Sequence, residues 1–375
     1  MFIQVDSVVK KFARRSGDTG QATHAALGGV SVAVEQGRML ALVGPSGSGK
    51  TTLLRCIAGL ERPDAGSIRI GARQVFAADA GIEVPTEQRN LGLIFQSYAL
   101  WPNMTVERNV AYPLKRRKVP EAECKARVLR YLDLVGCAHL AARFPHELSG
   151  GQQQRIALAR ALVYEPEVVL FDEPLSNLDP MLREHLRAQI REIQRTVGFT
   201  GVYVTHDQGE AFYVGDEVVI LSEGRIAQAG SPDDIYRHPV SPHIAAFVGA
   251  SNRVDGRLSD DGRQCIAAGL GTVTLAAPVA GAREVVLMAR PEVVQLSPLS
   301  DGSASAASAA TAATVIERVP SGGMDEYAVR LASGAVWRAR VDMRSPRIAV
   351  GARVAVTPRA DALFIYPREA AAELP

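Results

Sequence analysis

The segment LALVGPSGSGKTTLL, residues 40–54, decides how the first half of this chain folds. Its apolar run leads into a glycine-rich loop that matches the phosphate-binding pattern G-x-x-x-x-G-K-[ST], and helix-forming residues come next. A strand, loop and helix in this order present backbone N–H groups at the amino end of a helix, where an anion is stabilised. The alternative, a glycine-rich turn before an ordinary helix, does not need the complete pattern. We therefore predict a site for the phosphates of a nucleotide.

The residues of this loop have separate expected roles. Glycines let the backbone curl closely around phosphate oxygens. Lys50 is expected to reach the β- and γ-phosphates, and the Thr51 hydroxyl is expected to bind Mg²⁺. ATP and Mg²⁺ are therefore the predicted ligands. The predicted binding residues of the loop are Gly44, Pro45, Ser46, Gly47, Ser48, Gly49, Lys50, Thr51 and Thr52.

A second apolar run, VVLFDE at residues 168–173, ends in two acids. Asp172 has the position of an acid that holds Mg²⁺, directly or through water. Glu173 can take a proton from an attacking water molecule. In isolation the pair would be two solvated acids at a strand end, but the phosphate loop upstream favours a metal ligand and a catalytic base.

His206 and Gln96 are weaker candidates. His206 follows the apolar segment 202–205 and could bond the γ-phosphate and hold the attacking water, although a histidine at a strand end is more often structural. The Gln96 amide could reach Mg²⁺ or water, although a surface glutamine is the usual reading. Both are kept as site residues, His206 as catalytic and Gln96 as a nucleotide and metal contact.

The segment LSGGQ, residues 148–152, is not explained by the first site. A serine and two glycines at the start of a helix form a second surface that suits an anion. It lies nearly a hundred residues beyond the phosphate loop. The predicted binding residues of this segment are Ser149, Gly151 and Gln152.

Composition limits the class of protein. The chain has 375 residues, 47% of them hydrophobic and 22% charged, which predicts one long or two medium folded domains. The net charge of +2 with no sustained basic run gives no indication of nucleic-acid binding. No apolar stretch has the length of a membrane span, and the N-terminus lacks the pattern of a signal peptide. Four scattered cysteines predict neither a metal site nor disulfides, and they fit reducing cytoplasm.

The pattern of strands and helices predicts two domains. Residues 1–237 alternate strands with helices, which is typical of an α/β domain, with a helical insert at about 97–162. Residues 238–375 show short Val-rich runs between Gly, Pro and Asp, which predict a small all-β barrel or sandwich. The segment Ser300–Ala313 is expected to be a weak helix or a flexible connection. The fold class is therefore an α/β P-loop NTPase domain followed by a small all-β, barrel-like C-terminal domain.

The individual elements can be predicted from apolar periodicity. The predicted strands are Phe2–Val5, Val30–Val34, Met39–Val43, Ser67–Ile70, Val168–Phe171, Val202–Thr205 and Val218–Leu221, with Glu284–Ala289, Ala328–Leu331, Val336–Val341 and Ala352–Val356 in the tail. The predicted helices are Thr51–Leu60, Glu121–Val135, Gln152–Ala161 and Met181–Val197.

These motifs, in this order, resemble the ATP-binding subunit of an ABC transporter of the importer type, over Met1 to about Asn252. The resemblance implies a role for each motif. Gly44–Thr51 is the Walker A loop, Gln96 is the Q-loop glutamine, and Leu148–Gln152 is the signature motif. Asp172 and Glu173 end Walker B, and Ser176–Asp179 is the D-loop, with Asp179 at the nucleotide. His206 is the switch histidine, and Phe12 is the aromatic residue that stacks on adenine. Tyrosine is common at the last position, and the loop after Phe12 is longer than the family leads us to expect.

The resemblance also implies an assembly. Two copies form a head-to-tail homodimer, in which Ser149, Gly151 and Gln152 of one subunit close on the γ-phosphate held by Lys50 and Thr51 of the other. Two integral-membrane permease subunits are the expected partners, with an external substrate-binding protein indirectly and no nucleic acid. The chain is then expected to lie peripherally on the cytoplasmic face of the inner membrane. Trp101, in a segment similar to the permease contact of importers, is either an apolar anchor or a core tryptophan.

The tail resembles the TOBE-like regulatory domain of importers of iron(III), polyamines, sulfate and sugars, including Arg290-Pro291-Glu292. Among these substrates the motif-flanking segments favour iron(III) or polyamines, with iron(III) preferred. The alternatives are a polyamine, sulfate or sugar importer ATPase, or a soluble ABC ATPase that acts on ribosomes or nucleic acid. A catalytically silent regulator is disfavoured because Lys50, the acid pair and His206 are all present.

Overall fold

The computed structural model of the protein describes residues 1–13, 23–299 and 312–368. Contacts within the chain divide it into two units, Met1–Ile235 and Tyr236–Pro375. Most of the predicted weak helix or connection at Ser300–Ala313 lies outside the described residues. Among the residues that are described, no helix combines the length and apolar character needed to cross a membrane.

The first unit contains two sheets and most of the helices. Its strands are β1 (Ile3–Ala13), β2 (Thr23–Val34), β3 (Met39–Val43), β4 (Ala65–Ile70), β5 (Arg73–Ala77), β6 (Ile82–Glu83), β7 (Leu91–Ile94), β8 (Val168–Asp172), β9 (Thr200–Val204), β10 (Glu217–Ser222) and β11 (Arg225–Gly230). Its helices are α1 (Lys50–Ala58), α2 (Val106–Arg116), α3 (Glu121–Leu134), α4 (Gly150–Leu162), α5 (Pro180–Val197) and α6 (Gln208–Val214), and α7 (Pro232–Arg237) crosses the boundary between the units.

The central sheet has the strand order β11-β10-β3-β9-β8-β7 among the described residues. β10, β3, β9, β8 and β7 pair in parallel, and only β11 is antiparallel to its neighbour. Every residue of β3, β8 and β9 is buried, as expected for strands that are covered on both faces. Because these strands run in one direction, the loops that follow them meet at one edge of the sheet.

The second sheet, in the order β2-β1-β4-β5-β6, is antiparallel where its pairings are described. One apolar cluster joins this sheet to α1 and to the central sheet, with Val5 of β1, Leu54 of α1 and Leu42 of β3 among its fully or almost fully buried members. α1 is thereby fixed between the two sheets, directly behind the predicted phosphate loop.

The helical insert contains a helix that the sequence analysis did not predict. α2 buries Val106, Val110 and Leu114, which recur every four residues, and Thr105 caps it by accepting a bond from the Arg108 N–H. Pro113 lies inside this helix, where it weakens the sequence signal for helix. α3 and α4 agree with the predicted helices to within two residues at each end.

The described residues of the second unit form two antiparallel sheets and a short helix. Its strands are β12 (Asn252–Leu258), β13 (Gln264–Ala267), β14 (Gly271–Thr274), β15 (Glu284–Ala289), β16 (Val294–Pro298), β17 (Ala312–Ser321), β18 (Met324–Leu331), β19 (Val336–Asp342), β20 (Arg353–Pro358) and β21 (Leu363–Pro367), and its helix is α8 (Pro242–Phe247). The sheet orders are β14-β13-β12-β15-β21 and β16-β20-β17-β18-β19 within the described residues. Trp337 and Tyr327 are the largest side chains buried in its core.

The predicted fold class, an α/β P-loop domain with a helical insert and a small all-β C-terminal domain, is confirmed. Ten of the described strands were missed, namely β5, β6, β7 and β11 in the first unit and β12, β13, β14, β16, β17 and β21 in the second. β1 and β2 extend well beyond the predicted segments because they pair with each other along almost their whole length.

Candidate functional site

Four of the predicted segments lie at the carboxyl edge of the central sheet. The phosphate loop connects β3 to α1, Asp172 is the last residue of β8 and Glu173 follows it, and His206 comes after β9. Gln96 follows β7 at the same edge and is exposed. The parallel pairing of these strands therefore accounts for how residues far apart in sequence come together.

Glycine is required at two positions of the phosphate loop. Gly44 and Gly49 have φ angles of +151° and +103°, in the region that favours glycine. A Cβ at Gly44 would overlap the carbonyl oxygen of Leu221, and one at Gly49 would overlap that of Ala26. Gly49 is also the N-cap of α1, and no side chain caps that helix. The amino end of α1 therefore suits an external anion such as phosphate.

Lys50 lies under this loop and is only 5% exposed. Its ammonium group donates to the carbonyl oxygens of Gly44 and Pro45, each at 2.8 Å. Burial lowers the pKa of Lys50, and the negative charges of Glu173 and Asp172 act in the opposite direction. The ammonium group is therefore bonded to the loop, and the negative charges of Glu173 and Asp172 favour its charged form.

Thr51 and Asp172 form a pair of oxygen ligands. The Thr51 hydroxyl donates to Oδ1 of Asp172 at 3.0 Å, which joins the first turn of α1 to the end of β8. Asp172 is 8% exposed, and burial raises the pKa of its carboxyl, while the Thr51 bond lowers it. A hydroxyl and a carboxylate beside a phosphate loop are the donor set that Mg²⁺ prefers when it also binds phosphates. The residues present fit this cation.

Glu173 and His206 are in contact. His206 Nδ1 lies 3.2 Å from Oε2 of Glu173, with His206 exposed and Glu173 half-buried. Glu173 has a φ of +45°, which is uncommon for a residue other than glycine, and its N–H donates to the carbonyl of Val204 at 3.1 Å. Strained backbone of this kind persists only where the surroundings hold it, and it is concentrated at functional sites.

The signature segment begins α4 with a capping box. Ser149 is the N-cap, its hydroxyl accepts from the Gln152 N–H at 3.4 Å, and the Gln152 amide oxygen accepts from the Ser149 N–H at 3.0 Å. Gly151 packs against α5, because a Cβ there would lie 2.8 Å from a methyl carbon of Leu182. Ser149 is exposed and faces none of the phosphate-loop contacts described above, as expected if it serves another subunit.

The D-loop contacts the Q-loop, and its aspartate caps a helix. Asn177 Nδ2 donates to the carbonyl of Gln96 at 3.1 Å. The Asp179 carboxylate accepts from the Leu182 N–H at 3.0 Å and caps α5. The structure thus gives Asp179 a local structural bond, and its predicted contact with nucleotide stays a prediction.

Phe12 and Trp101 lie apart from this cluster. Phe12 is exposed near the end of β1, on the antiparallel sheet, where it pairs with His24, and the Lys10 ammonium lies 5.0 Å from its ring centre. Trp101 is half-buried in the helical insert, with its ring centre 4.3 Å from that of Tyr112. The stacking role of Phe12 and the anchor role of Trp101 stay predictions.

The sequence analysis missed a polar network behind His206. Arg183 of α5 donates to the carbonyl of Leu178 at 3.2 Å and lies 3.5 Å from the Asp207 carboxylate and 3.6 Å from that of Glu210. Glu210 is buried and accepts from the hydroxyls of Tyr203 and Thr205, at 3.1 and 2.8 Å. Burial raises the pKa of Glu210. The sequence signal is position alone, since Glu210 lies four residues after His206 and in the first turn of α6.

Comparison with known families identifies both parts of the chain. Residues 27–176 match the family described as ABC transporter, and residues 287–365 match the TOBE domain. Among solved structures, the chain is similar to a dimeric post-hydrolysis state of an ATP-binding cassette bound to ADP and phosphate (30% identity, TM-score 0.53, 61% of this chain and 98% of that chain). It is also similar to a component of an ABC transporter complex from Clostridium perfringens (28% identity, TM-score 0.55, 63% and 91% covered).

Curated relatives extend the match into the C-terminal unit. A trehalose/maltose import ATP-binding protein of Thermococcus litoralis is 48% identical over 235 residues, which are 62% of this chain and 63% of that protein. A Fe(3+) ions import ATP-binding protein of Brucella suis is 44% identical over 305 residues, which are 81% of this chain and 82% of that protein. A spermidine/putrescine import ATP-binding protein of Thermobifida fusca is 46% identical, with 64% and 62% covered. The chain therefore belongs to the ABC transporter family, as an ATPase subunit of the import type that carries a C-terminal TOBE domain.

Proposed function

We propose that this protein hydrolyses Mg²⁺-bound ATP in a head-to-tail homodimer and thereby powers import of a solute through two membrane permease subunits. The observation that carries this proposal is the convergence of Lys50, the Thr51–Asp172 pair and the Glu173–His206 pair at one edge of the central sheet. The similarity to a dimeric cassette with bound ADP and phosphate supports the same reading.

In this proposal the loop and α1 bind the phosphates of ATP. The backbone N–H groups of residues 46–52 and the Lys50 ammonium group bond phosphate oxygens, and Phe12 stacks on the adenine ring. Thr51 and Asp172 would hold Mg²⁺ with help from Gln96. A bound Mg²⁺ neutralises charge on the phosphate oxygens. The short Thr51–Asp172 distance supports this pairing, since both oxygens already face the same space.

Glu173 is the proposed general base. Its carboxylate takes a proton from the water that attacks the γ-phosphate, and His206 orients the carboxylate through the 3.2 Å contact at Nδ1. The strained backbone of Glu173 fixes the direction of this side chain. The network of Arg183 and Glu210 supports the segment on which His206 lies.

The second helix terminus completes the site of the other subunit. We propose that Ser149, Gly151 and Gln152 bond the γ-phosphate bound by the partner subunit, and that Asp179 lies at the same interface. The exposed position of Ser149 at the amino end of α4 supports this role. Closure of the dimer then depends on the γ-phosphate, and its loss on hydrolysis opens the dimer.

The transported solute is proposed to be iron(III). Several relatives are named as Fe(3+) ions import proteins, and one of them covers 81% of this chain. Polyamine and sugar importers are the alternatives, since relatives with those names match at similar identity over shorter lengths. We further propose that residues 238–375 regulate the ATPase formed by residues 1–237, on the cytoplasmic face of the inner membrane, with a substrate-binding protein outside.

Glu173→Gln tests the catalytic proposal. We expect turnover to fall by about 100-fold or more, which is typical of removing a general base, while ATP binding is retained and a stable dimer accumulates with ATP. ATP hydrolysis, calorimetric binding and light scattering measure the three properties. Glu165→Gln is the matched control, because Glu165 also has a positive φ, is exposed and lies three residues before β8 at its other end. Normal turnover in Glu173→Gln would contradict the assignment.

Purification of the tagged protein from detergent-solubilised native membranes tests the transport proposal. Co-purification of a polytopic permease is expected, and a ligand screen on the associated binding protein, starting with iron(III) and spermidine, then identifies the solute. Recovery of ribosomal proteins alone would instead support a soluble ATPase.

A further inference from the structure

Arg160, in the last turn of α4, is a buried guanidinium whose position the nucleotide site does not explain. It is 9% exposed, and burial lowers its pKa to about 10. Within the described residues it makes no ion pair with a carboxylate, and its two hydrogen bonds go to backbone carbonyls. Burying a charge without a carboxylate partner costs desolvation free energy, which hydrogen bonds to the charged group must offset.

The carbonyls that Arg160 binds belong to a strained turn. Nη1 donates to Ala99 at 2.7 Å and Nη2 donates to Tyr98 at 2.9 Å. Tyr98 and Ala99 are consecutive non-glycine residues with φ angles of +59° and +50°. Two successive left-handed residues persist only when neighbouring groups hold them. The planar fork of an arginine suits this purpose, because it presents two parallel donors at fixed spacing.

The same turn also contacts the other end of α4. Tyr98 is 7% exposed, and its hydroxyl has no hydrogen-bond partner among the described residues. A Cβ at Gly150 would lie 3.9 Å from that hydroxyl, so the phenol reaches the residue beside Ser149. The turn therefore lies beside the first turn of α4 through Tyr98 and is hydrogen-bonded to the last turn of α4 through Arg160.

Trp101 is attached to the turn. The Arg160 guanidinium carbon lies 4.8 Å from the centre of the Trp101 ring, two residues after Ala99. The Asn109 side chain, which is fully buried in α2, accepts from the Trp101 N–H at 2.8 Å and donates to its carbonyl at 3.1 Å. The position of Trp101 is therefore set from both sides, by α4 through Arg160 and by α2 through Asn109.

We infer that Arg160 is a positioning residue that makes the Tyr98–Ala99 turn and Trp101 follow the movement of α4. In this proposal the strained turn has two states. It is left-handed while Arg160 bonds both carbonyls, and it relaxes when these two hydrogen bonds break. The inference rests on the proposed function in one respect, since it takes contact of Ser149 with the γ-phosphate of the partner site as the event that moves α4. Nucleotide occupancy then changes how Trp101 is presented at the surface of the insert.

Tryptophan fluorescence tests this link in the full-length protein. The sequence contains 2 tryptophans, Trp101 and Trp337, so subtracting the spectrum of a Trp101→Phe variant isolates the Trp101 signal. All variants carry Glu173→Gln so that ATP persists. We expect Mg²⁺-ATP to change acrylamide quenching of Trp101 by about twofold in the parent. Arg160→Met should lose this change while its Kd for ATP stays within about twofold of the parent.

Conservative variants separate the effect of the two hydrogen bonds of Arg160 from the effect of its positive charge. Arg160→Lys keeps a cation but cannot bond both carbonyls, so we expect it to lose most of the ATP-dependent change. Should Arg160→Met fail to fold, Ala99→Gly provides the same test. Glycine adopts either state of the turn at little cost, so Trp101 should be more accessible without ATP and respond less than half as much to it.

The outcomes are distinct. An ATP response in Arg160→Met and Arg160→Lys equal to that of the parent would overturn the inference, and so would a parent that binds ATP with no change at Trp101. A parent that does not bind ATP at all would overturn the proposed function together with the inference.

Discussion

The amino ends of α1 and α4 are both predicted to bind phosphate, yet the protein builds them in opposite ways. The N-cap of α1 is Gly49, which provides no side-chain cap, and the first residue of this helix is the buried Lys50. The N-cap of α4 is Ser149, which forms a reciprocal capping box with Gln152, and the first turn of this helix contains no cation. The first terminus leaves its donors for a ligand, while side chains at the second satisfy the N–H groups of Ser149 and Gln152.

This difference fits the two roles that we propose. A terminus that holds the phosphates of its own nucleotide gains affinity when its N–H groups are not already used. A terminus that meets the partner's γ-phosphate only on closure must keep its helix intact between encounters, and a side-chain cap provides about 1 kcal/mol for that purpose. α1 thus lacks the stabilisation that a side-chain cap provides, and α4 has it.

Removal of the charge at α1 should have the largest effect on the affinity for ATP. In Lys50→Met we expect the Kd for ATP to rise about 100-fold, because a hydrogen bond to a charged group contributes roughly 1.5–3 kcal/mol. The melting temperature without nucleotide should not fall, since the variant no longer buries an ammonium group. Calorimetry and thermal unfolding measure these changes. Lys115→Met, at an exposed position of α2, is the control and should bind ATP normally.

Ser149 allows the cap and the ligand contact at α4 to be separated. Ser149→Asp keeps a good cap but places a negative charge where the partner's γ-phosphate is proposed to bind, so turnover should fall about 10-fold or more at unchanged melting temperature. Ser149→Ala removes the cap and should lower the unfolding free energy by about 1 kcal/mol. Steady-state hydrolysis in Ser149→Asp at the rate of the unmodified protein would show that α4 does not meet phosphate.

Asp172→Asn should stabilise the nucleotide-free protein while abolishing hydrolysis. Because burial raises the pKa of Asp172, its charge disfavours the folded state above that raised pKa. The penalty disappears as pH falls towards the ordinary carboxyl value of 3.8. The variant should therefore melt about 2–4 °C higher at pH 7.5, and this difference should shrink as the pH is lowered towards 3.8. A difference that stays constant over this range would rule out the electrostatic cause.

Gly151→Ala should have the smallest effect on the fold. A helical glycine is less stable than alanine by roughly 0.5–1 kcal/mol, but the new Cβ would press on Leu182 at 2.8 Å. We expect these effects to offset each other to within about 1 kcal/mol, with a modest loss of turnover as α4 shifts from α5. Adding Leu182→Ala should restore the turnover by making room. If the second substitution makes turnover worse, the packing explanation fails.

The sequence alone was sufficient to predict which strand ends carry the contiguous parts of the candidate site. The phosphate loop and the acids after β8 each lie within one strand and the loop after it, so local pattern and the order of motifs predicted them. It was insufficient where a side chain acts on distant backbone. Arg160 reads as an ordinary helical arginine, and its fork depends on a left-handed turn some sixty residues earlier that contains no glycine to mark it.

The same reasoning explains the missed elements. β7 has four residues and is recognisable only by its pairing with β8. The tail strands alternate buried and exposed residues over short lengths, as in β12, where Val254 and Leu258 are buried and Arg253 is exposed. Such patterns identify an all-β class but not the individual bounds.

The strand order of the central sheet has a consequence for synthesis of the chain. All five residues of β3 are buried. This strand pairs with β9, where Met39 is opposite Gly201, and with β10, where Leu40 is opposite Glu217. About 160 residues must therefore leave the ribosome after β3 before its first partner exists, which takes roughly 8–30 s at typical elongation rates. During that interval the apolar strand on which the phosphate loop is mounted has no sheet to join. Chaperone occupancy on the nascent chain should accordingly be highest between the emergence of β3 and that of β9.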